Sequence, residues 1–380
     1  MRVAVLGAGY AGLTLARTLE DDLPDDVEVV VVDDDPAHLL LHELHRAIRR
    51  PSVLEAITVP LEEVLDRATV RTTRVEDVDP GARRVELADG TLDYDYAAIC
   101  LGSETAFYDI PGLEERGTPL KRVPHAERIR EDFLGVCEDG GHAVVGGAGL
   151  SGVQVAGELH ALAVEEGARD AVDVTLVEQL PEIASNFPAN FREAVRDQLE
   201  ERGVEIRTDA AVTEATDDEV VLNDGDARLG YDQLVWTGGI RGSDATDGDR
   251  LDVRSDLRVS RETFAVGDAA RAIDADGQPV PASASAAIRE AKTVADNLVR
   301  LVEHDRADDP GAFEPRLDPY RFDVPGWIVS VGDGAVAQLG PSVVTGSAAK
   351  AMKASVGAGH LSSVGAVTKA AKLVEEELGN

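Results

Sequence analysis

Two glycine-rich turns are the residues of this sequence best suited to chemistry. Gly7-Ala8-Gly9-Tyr10-Ala11-Gly12 follows the apolar run Met1 to Leu6, and Gly147-Ala148-Gly149-Leu150-Ser151-Gly152 follows Ala143 to Gly146. In such a turn the glycines permit a tight bend and close backbone approach, and the helix that follows points its first N–H groups at a pyrophosphate. A turn that only packs a helix on a strand is the plainer alternative for either one. The pair, each set between an apolar run and a helical pattern, points to a chain that holds two nucleotides. Two bound nucleotides imply electron transfer between them.

The strand after each turn is expected to end in an acid that holds an adenosine ribose. Val27 to Val32 runs into Asp33, and Val172 to Val177 runs into Glu178. Both acids lie beyond the usual spacing of about 20 residues, because Asp21 to Asp26 and Glu165 to Asp170 read as polar inserts. A carboxylate there accepts ribose hydroxyl hydrogen bonds and repels a 2′-phosphate. Glu178 therefore favours NADH over NADPH, and Asp33 favours an unphosphorylated adenosine.

These residues need a frame of alternating strands and helices. The first βαβ unit covers Met1 to Asp33, and His38 to His45 opens a helical segment. Arg71 to Leu92 alternates like a small antiparallel insert turning at Asp89-Gly90, and Tyr94 to Ser103 leads into a buried strand ending in glycine. Ile110-Pro111-Gly112 reads as a crossing between domains. The second nucleotide unit runs from about Gly141 to Trp236, before Thr237-Gly238-Gly239; a strand from Thr263 to Val266 ends in Gly267-Asp268, and a helix runs from Ser283 to about Val302.

At 380 residues the chain is long enough for two or three domains. It has no run of the roughly 18 apolar residues that crosses a membrane, and Met1 to Leu6 is already the first strand, so no secretory signal is expected and the cytoplasm is the expected compartment. The 37 basic and 72 acidic residues give a formal charge of −35, and only six of the basic residues are lysine. That balance argues against nucleic acid as a partner and resembles adaptation to high salt, where screening weakens self-repulsion. The stretch from Gly334 to Val374 has no acid yet holds Lys350, Lys353, Lys369 and Lys372. Docking to an anionic membrane surface or to the acidic body of a second subunit is one expectation for it. Val364, Val367, Ala371, Val374 and Leu378 give it a thin apolar stripe, and packing on its own protein or on a dimer mate is the other. The two cysteines, Cys100 and Cys137, form no CxxC or CxxxxC pair, which excludes a redox dithiol.

Taken together, Gly7 to Gly12 with Asp33, Tyr96 to Ser103, Gly147 to Gly152, Trp236 to Gly239 and Phe264-Ala265-Val266-Gly267-Asp268 resemble the two-dinucleotide-binding flavoprotein disulfide-reductase superfamily. Gly152-Val-Gln-Val-Ala-Gly-Glu-Leu159, Trp236-Thr-Gly-Gly-Ile-Arg-Gly242 and Pro319-Tyr-Arg-Phe followed by Gly332-Asp-Gly make the chain most similar to the type II NADH dehydrogenases, single-subunit NADH:quinone oxidoreductases. The resemblance covers nearly the whole chain. It implies an α/β fold of two Rossmann-like dinucleotide-binding domains, for FAD and NADH, with a C-terminal segment. The FAD domain is expected at residues 1–112 and 236–310, the NADH domain at 113–235, and a dimerisation or peripheral membrane segment at 311–380.

The resemblance further implies FAD on Gly7, Gly9, Tyr10, Ala11, Gly12, Asp33, Leu101, Gly102, Gly267 and Asp268, with Asp268 at the ribityl chain. NADH is implied on Gly147, Gly149, Leu150, Ser151, Gly152 and Glu178, and Gly239 is a further cofactor-binding candidate. Hydride would pass from nicotinamide to flavin and electrons onward to a quinone, the flavin carrying the chemistry. This chain has Gln154 where the family usually has a glutamate beside the nicotinamide, with Glu158 one turn later, and Ser285 and Arg289 where the family has a pair of glutamines at the quinone site. Gln154, Glu158 and Ser285 are accordingly the candidate catalytic positions. A small iron-sulfur carrier as acceptor and an NADH-sensing flavoprotein are the alternatives, and a homodimer is expected. Sulfide:quinone chemistry is disfavoured for want of cysteine pairs. His38, His42 and His45 fall near one helical face; contacts at the flavin side or a dimer surface are expected, with solvent-exposed rings as the default, and no metal site is assigned.

Overall fold

The computed structural model describes residues 1–307, 313–324 and 326–378. Five parallel strands form the first sheet, in the order Thr263–Ala265, Tyr96–Ile99, Arg2–Leu6, Glu28–Asp33, Thr69–Thr72. Four form the second, in the order Glu205–Arg207, Val172–Val177, Gly141–Gly146, Gln233–Trp236, again all parallel. Runs such as Val29 to Val32 and Val144 to Val145 are apolar on successive residues because both faces of a parallel sheet are covered. Helix Tyr10–Asp22 crosses over the first sheet and helix Leu150–Glu165 over the second, each starting at the middle of its glycine motif, directly after Gly9 and Gly149.

Each nucleotide unit carries a three-stranded antiparallel meander, Val75–Asp79 with Arg84–Leu87 and Gly90–Asp93 in the first, Val212–Ala215 with Glu219–Leu222 and Ala227–Gly230 in the second. The chain passes between the units twice, and the two crossings pair with each other as the short ribbon Glu104–Thr105 against Ile240–Arg241. A third sheet, Gly326–Val331, Gly334–Leu339 and Ser342–Thr345, leads into helices Gly346–Ser363 and Val367–Leu378. The expected boundary between residues 310 and 311 lies outside the described residues.

Three expectations are corrected. The antiparallel insert begins at Val75, not Arg71: Arg71 pairs with Val32 in the parallel sheet. Alternation alone cannot separate a parallel edge strand from the first strand of a meander. The stretch from His38 to His45 is not one helix but strand Ala37–Leu39, a 3-10 turn Leu41–Glu43, and helix Arg46–Arg49. His38 pairs with Val59 in a two-stranded ladder, and His38 and His45 are buried, not solvent-exposed.

The C-terminal apolar stripe is interrupted as well. Gly365, at φ +88°, breaks the helix between Val364 and Val367, a backbone conformation natural only to glycine. Ala366, Ala370, Leu373 and Glu377 face inward while Val367 is exposed. The lysines also turn toward their own protein. Lys353 is buried against Glu43, Lys372 pairs with Glu55, and Lys369 donates to the Glu55 carbonyl at 2.9 Å. Packing on the chain itself thus accounts for most of that cationic stretch.

Candidate functional site

The two glycine turns are built alike to atomic detail. Gly7 and Gly147 have φ of +98° and +91°, and a Cβ on either would press into a neighbouring backbone, 2.3 Å from the Cys100 carbonyl oxygen and 2.4 Å from Gly238 Cα. A Cβ on Gly12 would lie 1.7 Å from the Gly7 oxygen, and one on Gly152 would lie 1.9 Å from the Gly147 oxygen. The middle glycines differ. Nothing lies within 4 Å of the Cβ position of Gly9 or of Gly149. Each is the N-cap of its helix without a side-chain cap, so bare backbone N–H groups face open space, a cradle shaped for a pyrophosphate.

Both acids close their turns by the same pair of bonds. Asp33 accepts from the Ala8 N–H at 2.5 Å and from the Asp35 N–H at 2.9 Å; Glu178 accepts from the Ala148 N–H at 2.7 Å and the Leu180 N–H at 3.0 Å. Burial pushes the Asp33 carboxyl above its ordinary value, with the two N–H bonds pulling it back. These contacts set each carboxylate beside its own glycine turn, where a ribose linked to a pyrophosphate would lie.

Gly267-Asp268 is brought to the first turn by close packing: a Cβ on Gly267 would lie 3.4 Å from Ala11 Cβ and 3.2 Å from Ala287 Cβ. The Gly267 N–H donates to Glu290 at 2.6 Å, and Asp268 accepts from the Ser103 hydroxyl at 2.9 Å. Lys121 donates to the same hydroxyl at 3.0 Å, and burial lowers the pKa of its ammonium. Arg250 donates to the Asp268 carbonyl at 2.8 Å. Asp268, Leu101 and Gly102 were legible in the sequence as strand ends next to glycine. Lys121, Arg250 and Glu290 were not, since no local pattern marks them.

The second turn meets the domain crossing. Thr237 donates to the Gly147 carbonyl at 2.9 Å, and the Trp236 indole N–H donates to the Ala106 carbonyl at 2.8 Å. Gly239 accepts from the Ala106 N–H at 3.1 Å, and any side chain on Gly239 would strike the Tyr108 ring. Leu150 and Ser151 open the helix; Gln154 is half-buried one turn along it. Glu158 is fully buried and accepts from Arg49 at 2.7 Å. Ser285 and Arg289 lie exposed one turn apart on helix Ala284–Arg306, whose N-cap Ser283 accepts from the Ala286 N–H at 3.2 Å.

Among the described residues no group of three histidine, cysteine or acidic side chains is placed to hold a metal ion. Cys100 and Cys137 are free thiols, and burial pushes the Cys100 thiol far up, which leaves it inert as a nucleophile. No described helix is long and apolar enough to cross a membrane.

Residues 1–291 match the family described as pyridine nucleotide-disulphide oxidoreductase. The type II NADH:quinone oxidoreductase of Staphylococcus haemolyticus is 27% identical over 338 residues, 81% of this chain and 84% of that protein. The enzyme of the same description from Staphylococcus saprophyticus is 27% identical over 332 residues, 80% of this chain and 83% of that protein. In fold, the chain is similar to NDH2 from Plasmodium falciparum solved in complex with NADH, with a TM-score of 0.84 at 13% identity over 99% of this chain and 97% of that one. It is similar also to the sulfide:quinone oxidoreductase of Aquifex aeolicus, with a TM-score of 0.79 at 21% identity over 100% and 96%.

Proposed function

This chain belongs to the pyridine nucleotide-disulphide oxidoreductase family, and from that premise we propose that it is an FAD-dependent NADH dehydrogenase passing electrons to a quinone. The observation that carries the reading is the duplicated cradle, an open middle glycine and a terminal acid bonded to the turn, at Gly9 with Asp33 and again at Gly149 with Glu178. The relatives' shared description supplies the acceptor.

FAD is held by the first cradle, with Asp33 at its adenosine ribose and Asp268, backed by Ser103, at the ribityl chain. NADH is held by the second, with Glu178 at its ribose. When bound, FAD would supply the hydride-accepting and electron-releasing chemistry; the chain's residues bind, orient and exclude water. Residues 1–112 with 236–310 serve the flavin and 113–235 serve NADH. Gln154, one turn into the second helix, would face the nicotinamide, Glu158 positions that helix through Arg49, and Ser285 would line the acceptor's approach. The lack of a cysteine pair speaks against sulfide as donor.

A lipid-soluble quinone as acceptor would call for peripheral contact with a membrane, and a cytoplasmic protein would make it at the cytoplasmic face. Contact there, or with a second copy in a homodimer, falls to the outward side of helix Gly346–Ser363, where Ser347, Ala348, Ala351, Ser355 and Val356 are exposed without an acid among them. Flotation with anionic and neutral vesicles and size-exclusion chromatography test these two contacts.

Anaerobic stopped-flow absorbance tests the function. Mixing with NADH bleaches the flavin, and a soluble quinone then restores its colour. Bleaching without restoration moves the acceptor to a protein carrier, and purified protein without flavin removes the reading altogether.

A further inference from the structure

The turn Phe107-Tyr108-Asp109-Ile110 lies on the crossing beside the second cradle and is built against the preference of one of its residues. The Ile110 N–H donates to the Phe107 carbonyl at 3.1 Å, and Tyr108 and Asp109 between them have φ of +56° and +54°. A turn with both central residues left-handed ordinarily takes glycine, asparagine or aspartate. Asp109 suits it. Tyr108 does not, because a bulky side chain at positive φ crowds its own backbone. Its ring is 61% exposed, so little burial offsets that strain. Strain of this kind persists where it aims a side chain at a working surface.

The ring is aimed across Gly239. A Cβ on Gly239 would lie 1.9 Å from the Tyr108 hydroxyl oxygen and 3.0 Å from Cε2 of its ring, so only glycine admits the ring there. Gly238 backs on the Trp236 indole, where a Cβ would lie 2.3 Å from Cζ2, and Gly147 packs directly on Gly238. Trp236, Gly238, Gly239 and Tyr108 therefore make one wall that starts at the second glycine turn. The Tyr108 hydroxyl makes no hydrogen bond to another described residue.

The sheet decides which half of a dinucleotide meets that wall. Strands Val172–Val177, Gly141–Gly146 and Gln233–Trp236 are neighbours in that order, with Val177, Gly146 and Trp236 aligned at their ends. A dinucleotide lies across the carboxyl ends of such strands. Glu178, just past the first end, would take the adenosine ribose, and the glycine turn past the second would take the pyrophosphate. The remaining half then extends to the third end, where Gly238, Gly239 and Tyr108 stand. Ser103, the donor to Asp268, opens the crossing that carries Tyr108, so one short segment serves both cradles. Resting on the function proposed above, we propose that Tyr108 is a nucleotide-contact residue covering the nicotinamide half of NADH. The exposed face of its ring packs on that half and shields it from water, and its hydroxyl bonds the adjoining ribose.

Calorimetric binding of NAD+ to the flavin-loaded protein tests this without turnover. Tyr108→Gly should raise the Kd about tenfold, on the scale of one lost aromatic contact. Its flavin content should be unchanged and its Tm should not fall, since glycine takes a left-handed turn freely. Tyr108→Phe keeps the ring and should stay within about threefold of wild type, the weight of one neutral hydrogen bond. Asp109→Gly relaxes the same turn with the ring in place and should leave the Kd within about twofold, as an exposed substitution does. An unchanged Kd in Tyr108→Gly, or an equal rise in Asp109→Gly, overturns the assignment. A rise in Kd accompanied by a falling Tm and lost flavin overturns it too, because the tyrosine would then only support the fold. A wild-type protein that holds flavin yet neither binds NAD+ nor is bleached by NADH overturns the reading of the second cradle itself.

Discussion

Arg49 and Glu158 join the two nucleotide-binding halves. The Arg49 Nε donates to Glu158 at 2.7 Å with both side chains buried, and its Nη1 reaches Glu165 at 2.8 Å and Asp333 at 2.7 Å. One guanidinium thereby ties the flavin-side segment, the helix behind the second glycine turn and the C-terminal hairpin. Burial pushes the Glu158 carboxyl up to about 7 against the pull of Arg49.

Arg49→Ala should therefore cost about 3–5 kcal/mol in urea unfolding, the penalty for stranding a buried charge. Arg49→Met with Glu158→Leu should recover most of it. If the single substitution costs no more than an exposed pair would, the strut is not a strut.

The glycines of each turn should separate by role. Gly9→Val is expected to fold and lose flavin, and Gly149→Val to keep flavin but lose its bleaching by NADH, because these Cβ positions point into open space. Gly12→Ala should fail to fold, its Cβ meeting the Gly7 oxygen. Circular dichroism with the flavin spectrum reads all three.

Glu178→Ala should narrow the preference for NADH over NADPH by about tenfold or more, from the loss of charge-assisted bonds to the ribose. Steady-state kcat/KM with each cofactor gives the ratio; an unchanged ratio would mean another residue reads the ribose.

Glu290 makes stability depend on pH. Burial, with a smaller push from Asp268, raises its carboxyl to about 8 against the ordinary 4.5. Between these values the folded state binds a proton that the unfolded state has released, so its contribution to stability falls as pH rises through that window, by about 1.4 kcal/mol per unit. Below about 4.5 the contribution is whole. Glu290→Gln can still accept the Gly267 N–H and should flatten the slope between pH 5 and 8 in thermal melts.

With a net charge of −35, the fold should gain from screening. The Debye length shrinks from about 10 Å at 0.1 M salt to about 3 Å at 1 M, so Tm should rise between 0.1 M and 2 M KCl. A Tm that falls would remove the high-salt reading of the composition.

The sequence by itself determined the two glycine turns, their terminal acids and the parallel sheets that carry them. Those features are local: a positive φ at Gly7 or Gly147, and a steric conflict five residues on, concern atoms within one turn of chain. An apolar run long enough for a doubly covered strand is equally local. The Gly267-Asp268 corner was legible for the same reason, as a strand end beside glycine.

Only the tertiary structure decided who meets whom across the fold. Lys353 looked like part of an exposed cationic surface, yet it is buried on Glu43, 310 residues earlier. His38 and His42 looked like exposed rings of a single helix; instead His38 enters a strand and faces His360, 322 residues on. Arg49 finds Glu158 at a separation of 109. The energy of a buried charge depends on the partner the fold delivers to it, not on its sequence neighbours.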